Sequence, residues 1–333
     1  MKNISKWKSS QANQGDNPAT QATRLANASN HLFYPAGSSI FKSSSLEPNE
    51  EKLKEELWGE SDHDIQSITS HGSKIAAIDG RGKILLGNEE KMESISKDRN
   101  TEFSWCGVSF NKVDGSLASS RMWDRKTSII NSSTTFLHEL PPVSISASDL
   151  RSHIFVINEW NEVTIWDVRQ ARGGLVERLR GNQVGGAGIL PLWASASIGN
   201  YICFGGEDRL VSIIDDRKWR VVDIWKAPVK HDIVGLQLFK KPISEELCCL
   251  VLGLDHELAE WTPSFRHRKS QVELRKEDEV DDLEGNLGRL HHNHRVFRAK
   301  GRWSGITVSS NDSNTFYGRD DEGTIYSFSW MYP

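Results

Sequence analysis

The stretch SHIFVINEWNEVTIWDVRQ, residues 152–170, predicts two short β-strands joined by a polar turn. The first strand covers Ile154 to Ile157, and the turn covers Asn158 to Asn161. The second strand covers Val163 to Val168 and contains the dipeptide Trp166-Asp167 near its end. Because successive side chains point to opposite faces of a strand, Trp166 and Asp167 face opposite sides of the predicted sheet.

The same unit recurs along the chain, with turns near residues 80, 160, 207, 255 and 321. The best second copy is NYICFGGEDRLVSIIDDRKW, residues 200–219. A further unit, FSWCGVSF followed by SLASSRMWDRKTSIINSS, lies between the turns near 80 and 160, so the interval is about 40 to 45 residues. That interval is the length of one blade of a WD40 β-propeller.

The segments before the first clear copy complete the count of blades. ATRLANAS, HLFYPAG, SSIFKSSS and EKLKEELWG give four strands of a first blade, which makes seven blades in all. The last of these segments, KLKEELW, also fits a short helix. The sequence therefore predicts an all-β protein, a seven-bladed β-propeller of the WD40 type, over residues 22–333.

The last blade ends at Trp330 and lacks its outermost strand at the carboxy-terminal end. We expect residues 4–9 to supply that strand and close the ring, because pairing there removes an exposed sheet edge. Trp7 lies in this strand and is a candidate structural residue. Residues 1–21 then form a closing strand followed by a polar connector.

Residues 266–302 form a charged insertion, since the interval between the turns near 255 and 321 exceeds a blade by about 20 residues. The insertion begins basic (RHRKSQVELRK), becomes acidic (EDEVDDLE) and turns basic again through HHNHR. We expect it between blades six and seven. Two interpretations stay open, a solvated loop and a docking arm for a partner.

The composition favours an intracellular protein that binds neither nucleic acid nor membrane. Lys and Arg number 41 against 45 acidic residues, and a net charge of -4 gives no broad positive field for a phosphate backbone. The amino terminus has no secretory apolar run, and no segment reaches about 18 uninterrupted apolar residues. The four cysteines form no CxxC pair and are expected to be buried, reduced thiols: Cys106, Cys203, Cys248 and Cys249.

No motif for catalysis, a cofactor or a metal stands out. The Gly-rich GNQVGGAG at residues 181–188 lacks the Gly-Lys-Ser/Thr of a phosphate-binding loop and is interpreted as a connection between blades. His291, His292 and His294 have no fourth ligand at the spacing of a structural metal site. We therefore expect a noncatalytic protein without a cofactor.

Two neighbouring blades carry an Asp at the end of a strand and an Arg two residues later. These pairs are Asp167 with Arg169 and Asp215 with Arg217. Such an Asp usually forms a turn, and Trp166 is a candidate packing plug between sheets. We expect both arginines on one rim of the ring, as a candidate partner-binding surface, because an arginine fork can bind carboxylates or main-chain oxygens.

Arg169 and Arg217 resemble the Trp-Asp-x-Arg pattern of the WD40 proteins that serve as substrate receptors for cullin-4 ubiquitin ligases. In that family the pattern marks the blades that bind the adaptor, so the resemblance implies a cullin-4 adaptor as a partner. Propellers without this role also carry the pattern. By contrast, Trp123-Asp124 matches the letters of the dipeptide but lies in a turn between two strands.

Residues 160–265 resemble the family of the small WD40 nucleoporin in the Y-shaped scaffold complex of the nuclear pore. The resemblance rests on VTIWDVRQ, LPLWASAS, CFGGEDRLVSIIDDR, WKAPVKHDIVGLQLF and HELAEW, and also on NISKWK and FYGRDDEGTIYSFSW at the two ends. It implies a structural subunit that binds Y-complex nucleoporins and is monomeric within the larger complex. It also implies a location in the nucleus at the pore and at mitotic kinetochores, with the cytoplasm as the location otherwise expected.

Overall fold

The structure is a computed structural model that describes residues 3–8, 21–43, 53–95, 102–170, 174–180, 190–241, 244–263, 295–309 and 315–329. These residues form seven antiparallel sheets of four strands each. Each innermost strand contacts the innermost strand of the next sheet, and the seventh contacts the first, so the sheets form a ring. The predicted all-β fold, a seven-bladed β-propeller, is confirmed.

The strands of each blade run from the centre of the ring to its edge in chain order, except in blade seven. Blades one to three consist of β2 (Ala26–Ala28), β3 (His31–Ala36), β4 (Ser39–Ser43), β5 (Glu55–Glu60), β6 (Ile65–His71), β7 (Lys74–Asp79), β8 (Ile84–Asn88), β9 (Met92–Ser94), β10 (Cys106–Phe110), β11 (Leu117–Arg121), β12 (Lys126–Ile129) and β13 (Thr135–Leu137). Blades four to six consist of β14 (Pro142–Ala147), β15 (Ile154–Glu159), β16 (Glu162–Asp167), β17 (Leu175–Arg180), β18 (Ala194–Ile198), β19 (Tyr201–Gly205), β20 (Leu210–Asp215), β21 (Arg220–Lys226), β22 (Ile233–Lys240), β23 (Leu247–Gly253), β24 (Glu257–Trp261) and β25 (Arg295–Arg298). Blade seven consists of β1 (Asn3–Lys8), β26 (Trp303–Val308), β27 (Thr315–Asp320) and β28 (Thr324–Ser329).

Blade seven is closed by the amino-terminal strand, as predicted. Strand β1 pairs antiparallel with β28, from Asn3 opposite Ser329 to Lys8 opposite Thr324. The strand begins and ends one residue earlier than the expected range 4–9. Trp7 lies opposite Ile325 in this register, and its side chain lies outside the described part of the chain. The pairing covers the edge of β28 that would otherwise be exposed.

The segment KLKEELW contributes a strand, so the helical alternative for it is wrong. Strand β5, Glu55–Glu60, pairs along β4, with Glu60 opposite Ser39. A helix here would leave the outer edge of β4 without hydrogen-bonding partners, and the sheet supplies them.

The charged insertion is shorter than expected, and its end belongs to blade six. Residues 295–298 form β25, which pairs with β24 from Glu260 to Glu257. From this strand Phe297 packs against blade seven, with its ring 5.3 Å from the ring of Tyr326 and 6.1 Å from that of Trp303. The expected position between blades six and seven is therefore wrong, since the chain returns to blade six after the insertion. Residues 264–294 lie outside the described residues.

The core lies between neighbouring blades, and the middle strands are buried on both faces. All six residues of β15 and all seven of β23 are buried, which explains their continuous apolar runs. Trp166 packs between blades three and four, with its ring 4.9 Å from that of Phe136 in an offset stack. This position is the one expected of an aromatic side chain that packs between sheets.

A buried chain of hydrogen bonds accompanies Trp166. Its Nε1 donates to Thr164 Oγ1 (2.9 Å), and that hydroxyl donates to Glu159 Oε1 (2.7 Å). The same carboxylate oxygen lies 2.8 Å from His138 Nδ1 of the preceding connection. Sequence analysis placed Asn158 and Glu159 in a turn, but β15 extends through both. The turn is limited to residues 160–161, and Trp160 adopts a φ of 54° there.

Candidate partner-binding surface

One face of the ring carries the candidate residues. We call it the rim face, and it consists of the turns between the first and second strands and between the third and fourth strands of each blade. On blades four and five these turns comprise residues 148–153, 168–174, 199–200 and 216–219; residues 171–173 lie outside the described residues. Antiparallel strands bring both kinds of turn to the same side of a sheet, so the rim face is continuous from blade to blade.

The two predicted Asp-x-Arg pairs have the same geometry. Arg169 donates from Nε to Asp167 Oδ1 (3.0 Å) and from Nη2 to Oδ2 (2.6 Å). Arg217 donates from Nε to Asp215 Oδ1 (2.8 Å) and from Nη2 to Oδ2 (2.6 Å). In each pair the main-chain N–H of the Arg also donates to Oδ1, at 3.0 Å. Each Asp therefore forms the expected turn and also holds its own arginine.

These hydrogen bonds use the guanidinium groups with which the two arginines could bind a partner. The hydrogen bonds from Arg169 and Arg217 lower the pKa of Asp167 and of Asp215, so both carboxylates stay ionised. Both arginines lie exposed on the rim face of adjacent blades, where sequence analysis placed them. Each guanidinium fork is already bound in a bidentate manner to an Asp of the same chain. Partner binding by these residues stays a prediction.

Arg151, which sequence analysis missed, lies in the same region with a different arrangement. It belongs to the first turn of blade four, and its carbonyl oxygen accepts from Asn111 Nδ2 of blade three (2.9 Å). Its Nε lies 3.8 Å from Asp216 Oδ2, and its guanidinium carbon lies 5.8 Å from the centre of the Trp219 ring. Both of these residues belong to blade five. Within the described residues its guanidinium makes no hydrogen bond, so its fork is open.

Asp216 is the buried anion beneath Arg151. Its side chain is only 1% exposed, and its main-chain N–H donates to Asn200 O (2.9 Å). Among the described residues neither carboxylate oxygen has a hydrogen-bond partner. Burial raises the pKa of Asp216, and the nearby positive charge of Arg151 opposes this rise. The carboxylate therefore depends on Arg151 for compensation of its charge.

A second carboxylate, that of the half-buried Asp149, ties three blades together beside Arg151. Asp149 Oδ1 lies 2.8 Å from Lys112 Nζ of blade three, and its Oδ2 accepts from Gly199 N of blade five (3.0 Å). Two apolar side chains are about half exposed next to these residues, Val113 and Leu150. The surface therefore combines basic groups with apolar ones. No spacing rule could have found it, because its members come from three different blades.

The central channel offers little room for a ligand. Its cavity has a volume of about 60 Å³ and is lined by Trp105, Ser144 and Ala22, among others. The chain itself crosses the channel at residues 21–24. Gln21, expected in a polar connector, is buried and donates from Nε2 to Val143 O of blade four (3.0 Å). A space of this size holds water molecules and little more.

The remaining candidate groups take no part in this surface. All four cysteines are buried and unpaired by disulfides, as expected. Burial raises the pKa of Cys106 to about 12 and that of Cys248 to about 11, so these thiols stay protonated. Within the described ranges no group of His, Cys, Asp and Glu is arranged to hold a metal ion. His291, His292, His294 and the Gly-rich stretch 181–188 lie outside them.

In the part of the chain that the structure describes, no helix has the length and apolar character needed to cross a membrane.

Comparison with solved structures shows a similar fold. The chain is similar to a chain in the structure described as "Crystal Structure of Mitotic Checkpoint Complex", with a TM-score of 0.70 and 12% sequence identity. The likeness covers 99% of this chain and 92% of that chain. At this identity it shows the propeller fold alone, because one fold serves many functions. No protein-family model and no curated protein matches this chain.

Proposed function

We propose that this protein is a noncatalytic interaction scaffold and a structural subunit of the Y-shaped scaffold complex of the nuclear pore. Its place there corresponds to that of the small WD40 nucleoporin called nucleoporin forty-three. A WD40-like propeller is typically a scaffold that binds other proteins and does no chemistry itself. The partners in this proposal are nucleoporins of the Y complex, and the location is the pore and, in mitosis, the kinetochore.

The observation that carries the scaffold proposal is the surface around Arg151 on the rim face. It brings basic and apolar side chains from three blades together. A shallow mixture of arginines and exposed apolar groups is typical of a protein interface. The assignment to the nuclear pore rests on the sequence resemblance over residues 160–265 and at the two ends.

One observation favours a second function, that of a substrate receptor for a cullin-4 ubiquitin ligase. Blades four and five present two Asp-x-Arg pairs of the same geometry at the same face. This arrangement fits the pattern that marks adaptor-binding blades in those receptors. In the scaffold proposal the same pairs only stabilise turns, so their removal should leave the assembly of the complex unchanged.

The test is affinity purification of the tagged protein from growing cells, with quantitative mass spectrometry. The scaffold proposal expects Y-complex nucleoporins in near-equal amounts. The Arg169→Ala, Arg217→Ala double variant is the matched second sample, and it should recover the same proteins. Recovery of a cullin-4 adaptor without nucleoporins, together with loss of that adaptor from the double variant, would establish the receptor function instead.

A further inference from the structure

Four ion pairs on the rim face of blades three to five have the cation outside and the anion inside, and Asp114, beside Val113, is an exposed anion that departs from this order. The side chains of Arg169 and Arg217 are 66% and 55% exposed, whereas those of Asp167 and Asp215 are 7% and 8% exposed. Two further pairs follow the same order: Lys112 with Asp149, and Arg151 with Asp216. A partner that approaches this face therefore meets positive charge, although the chain as a whole carries a net charge of -4.

Arg151 differs from its neighbours because its hydrogen-bonding edge is unused. The Asp216 carboxylate and the Trp219 ring hold its guanidinium in place from two sides. A side chain that is already held loses little conformational entropy on binding. Its remaining N–H groups can bind a carboxylate in the bidentate geometry that guanidinium groups favour.

The apolar groups beside Arg151 indicate what surrounds that carboxylate. Leu150 precedes it in the same turn and is 54% exposed, and Val113 of the neighbouring turn in blade three is 52% exposed. A ligand with both acidic and apolar side chains would use both parts of the surface. A nucleic acid backbone fits less well, because it needs a larger set of unpaired cations.

We propose that the surface formed by Lys112, Val113, Leu150, Arg151 and Trp219 binds an acidic segment of a partner protein that also carries apolar side chains. Arg151 donates to a carboxylate of that segment, and Leu150 and Val113 pack against its apolar side chains. Arg169 and Arg217 add long-range attraction and make no essential contact. The proposal rests on the scaffold function and names the chemistry of its partner.

The test uses the full-length protein and a fluorescein-labelled peptide in which Glu-Glu-Leu is repeated four times. Fluorescence anisotropy should show saturable binding that weakens as salt rises. Arg151→Ala should weaken the affinity by about tenfold or more. Arg151→Lys should give an intermediate loss, because Lys keeps the charge but lacks the fork. Thermal unfolding of each variant checks that it is folded.

Arg302→Ala is the matched control. Arg302 is exposed in the connection between β25 and β26 on the opposite face, so this variant should bind the peptide as the wild type does. Equal affinities for wild type and Arg151→Ala would overturn the proposal. So would wild-type binding of a labelled uridine oligonucleotide without binding of the acidic peptide, which would indicate a nucleic acid surface.

A companion purification from cells separates this proposal from the proposed function. If the wild type recovers no nucleoporins, the proposed function fails, whatever the peptide shows. If the wild type recovers them and Arg151→Ala recovers them equally, the scaffold function stands and this surface is not its docking site. Selective loss of at least one nucleoporin from Arg151→Ala supports the inference.

Discussion

Between blades three and four, the carboxylate of Glu159 is fully enclosed and has hydrogen-bond partners in Thr164 and His138. Between blades four and five, the carboxylate of Asp216 is as deeply buried but has no hydrogen-bond partner among the described residues. Its charge is compensated mainly by Arg151, whose side chain is 37% exposed, and to a smaller extent by Arg217. A buried carboxylate therefore belongs to a closed network at one junction and to an open one at the next.

The difference separates a structural role from a binding role. A buried carboxylate with its hydrogen bonds satisfied joins two blades and leaves nothing for a ligand. A buried carboxylate without such hydrogen bonds lowers the stability of the fold. It can still serve a binding site by holding another group in place. Here that group is Arg151. Stability should therefore depend on the first junction and partner binding on the second.

The largest effect should follow the removal of Glu159. Glu159→Ala leaves His138 and Thr164 buried without their partner, so we expect a loss of about 3 kcal/mol in the free energy of unfolding. Glu159→Gln keeps the volume and part of the hydrogen bonding and should cost less. Chemical denaturation of both variants and the wild type measures the loss. A Glu159→Ala protein as stable as the wild type would show that the closed network contributes nothing.

Acidification should change stability in opposite directions at the two junctions. Burial raises the pKa of Glu159, but hydrogen bonds from His138 and Thr164 lower it more, and the net pKa is below its ordinary value. The stability from Glu159 is thus present at neutral pH and is lost as the pH falls through its lowered folded pKa. The pKa of Asp216 is raised, so its charge costs stability above that pKa, and the cost disappears on acidification.

Asp216→Asn isolates this second effect. At pH 7 the variant should be more stable than the wild type, by about 1 kcal/mol, because it removes a buried charge. The advantage should shrink as the pH falls through the raised pKa of Asp216, since the wild-type side chain then becomes neutral. Denaturant unfolding at several pH values gives the two curves. An advantage that stays constant with pH would contradict the assignment of the effect to Asp216 ionisation.

The smallest effect should follow the removal of the two self-paired arginines. Arg169→Ala and Arg217→Ala together remove two exposed guanidinium groups, whose ion pairs are screened by solvent, so the free energy of unfolding should change little. Affinity for the acidic peptide should fall by about twofold to threefold at low salt, through lost long-range attraction. The loss should disappear at high salt, and its persistence there would indicate direct contacts.

The sequence was sufficient to predict the ring of seven blades and its closure by the amino-terminal strand. Turns near residues 160 and 207 set the period, and Trp330 at the end of the last copy showed that blade seven needed a strand from elsewhere. The location of Arg169 and Arg217 on one face followed from their equal distance from a strand end. These features depend on local patterns, which a sequence displays directly.

The two carboxylate networks could not be predicted in the same way. Asn and Glu are depleted in strands, so Asn158 and Glu159 were assigned to a turn, although tertiary partners keep both in a strand. Arg151 and Asp216 belong to different blades, and only the packing of those blades brings them within 3.8 Å. The spacing of Asp and Arg also did not reveal that Arg169 and Arg217 bind their own Asp residues in a bidentate manner.

The most direct test is a side-by-side titration of the labelled acidic peptide with three full-length proteins. These are the wild type, Arg151→Ala, and the Arg169→Ala, Arg217→Ala double variant, all at about 0.15 M salt. We expect a loss of about tenfold or more in the single variant and of no more than about threefold in the double variant. A larger loss in the double variant than in Arg151→Ala would contradict the assignment of partner binding to the open junction.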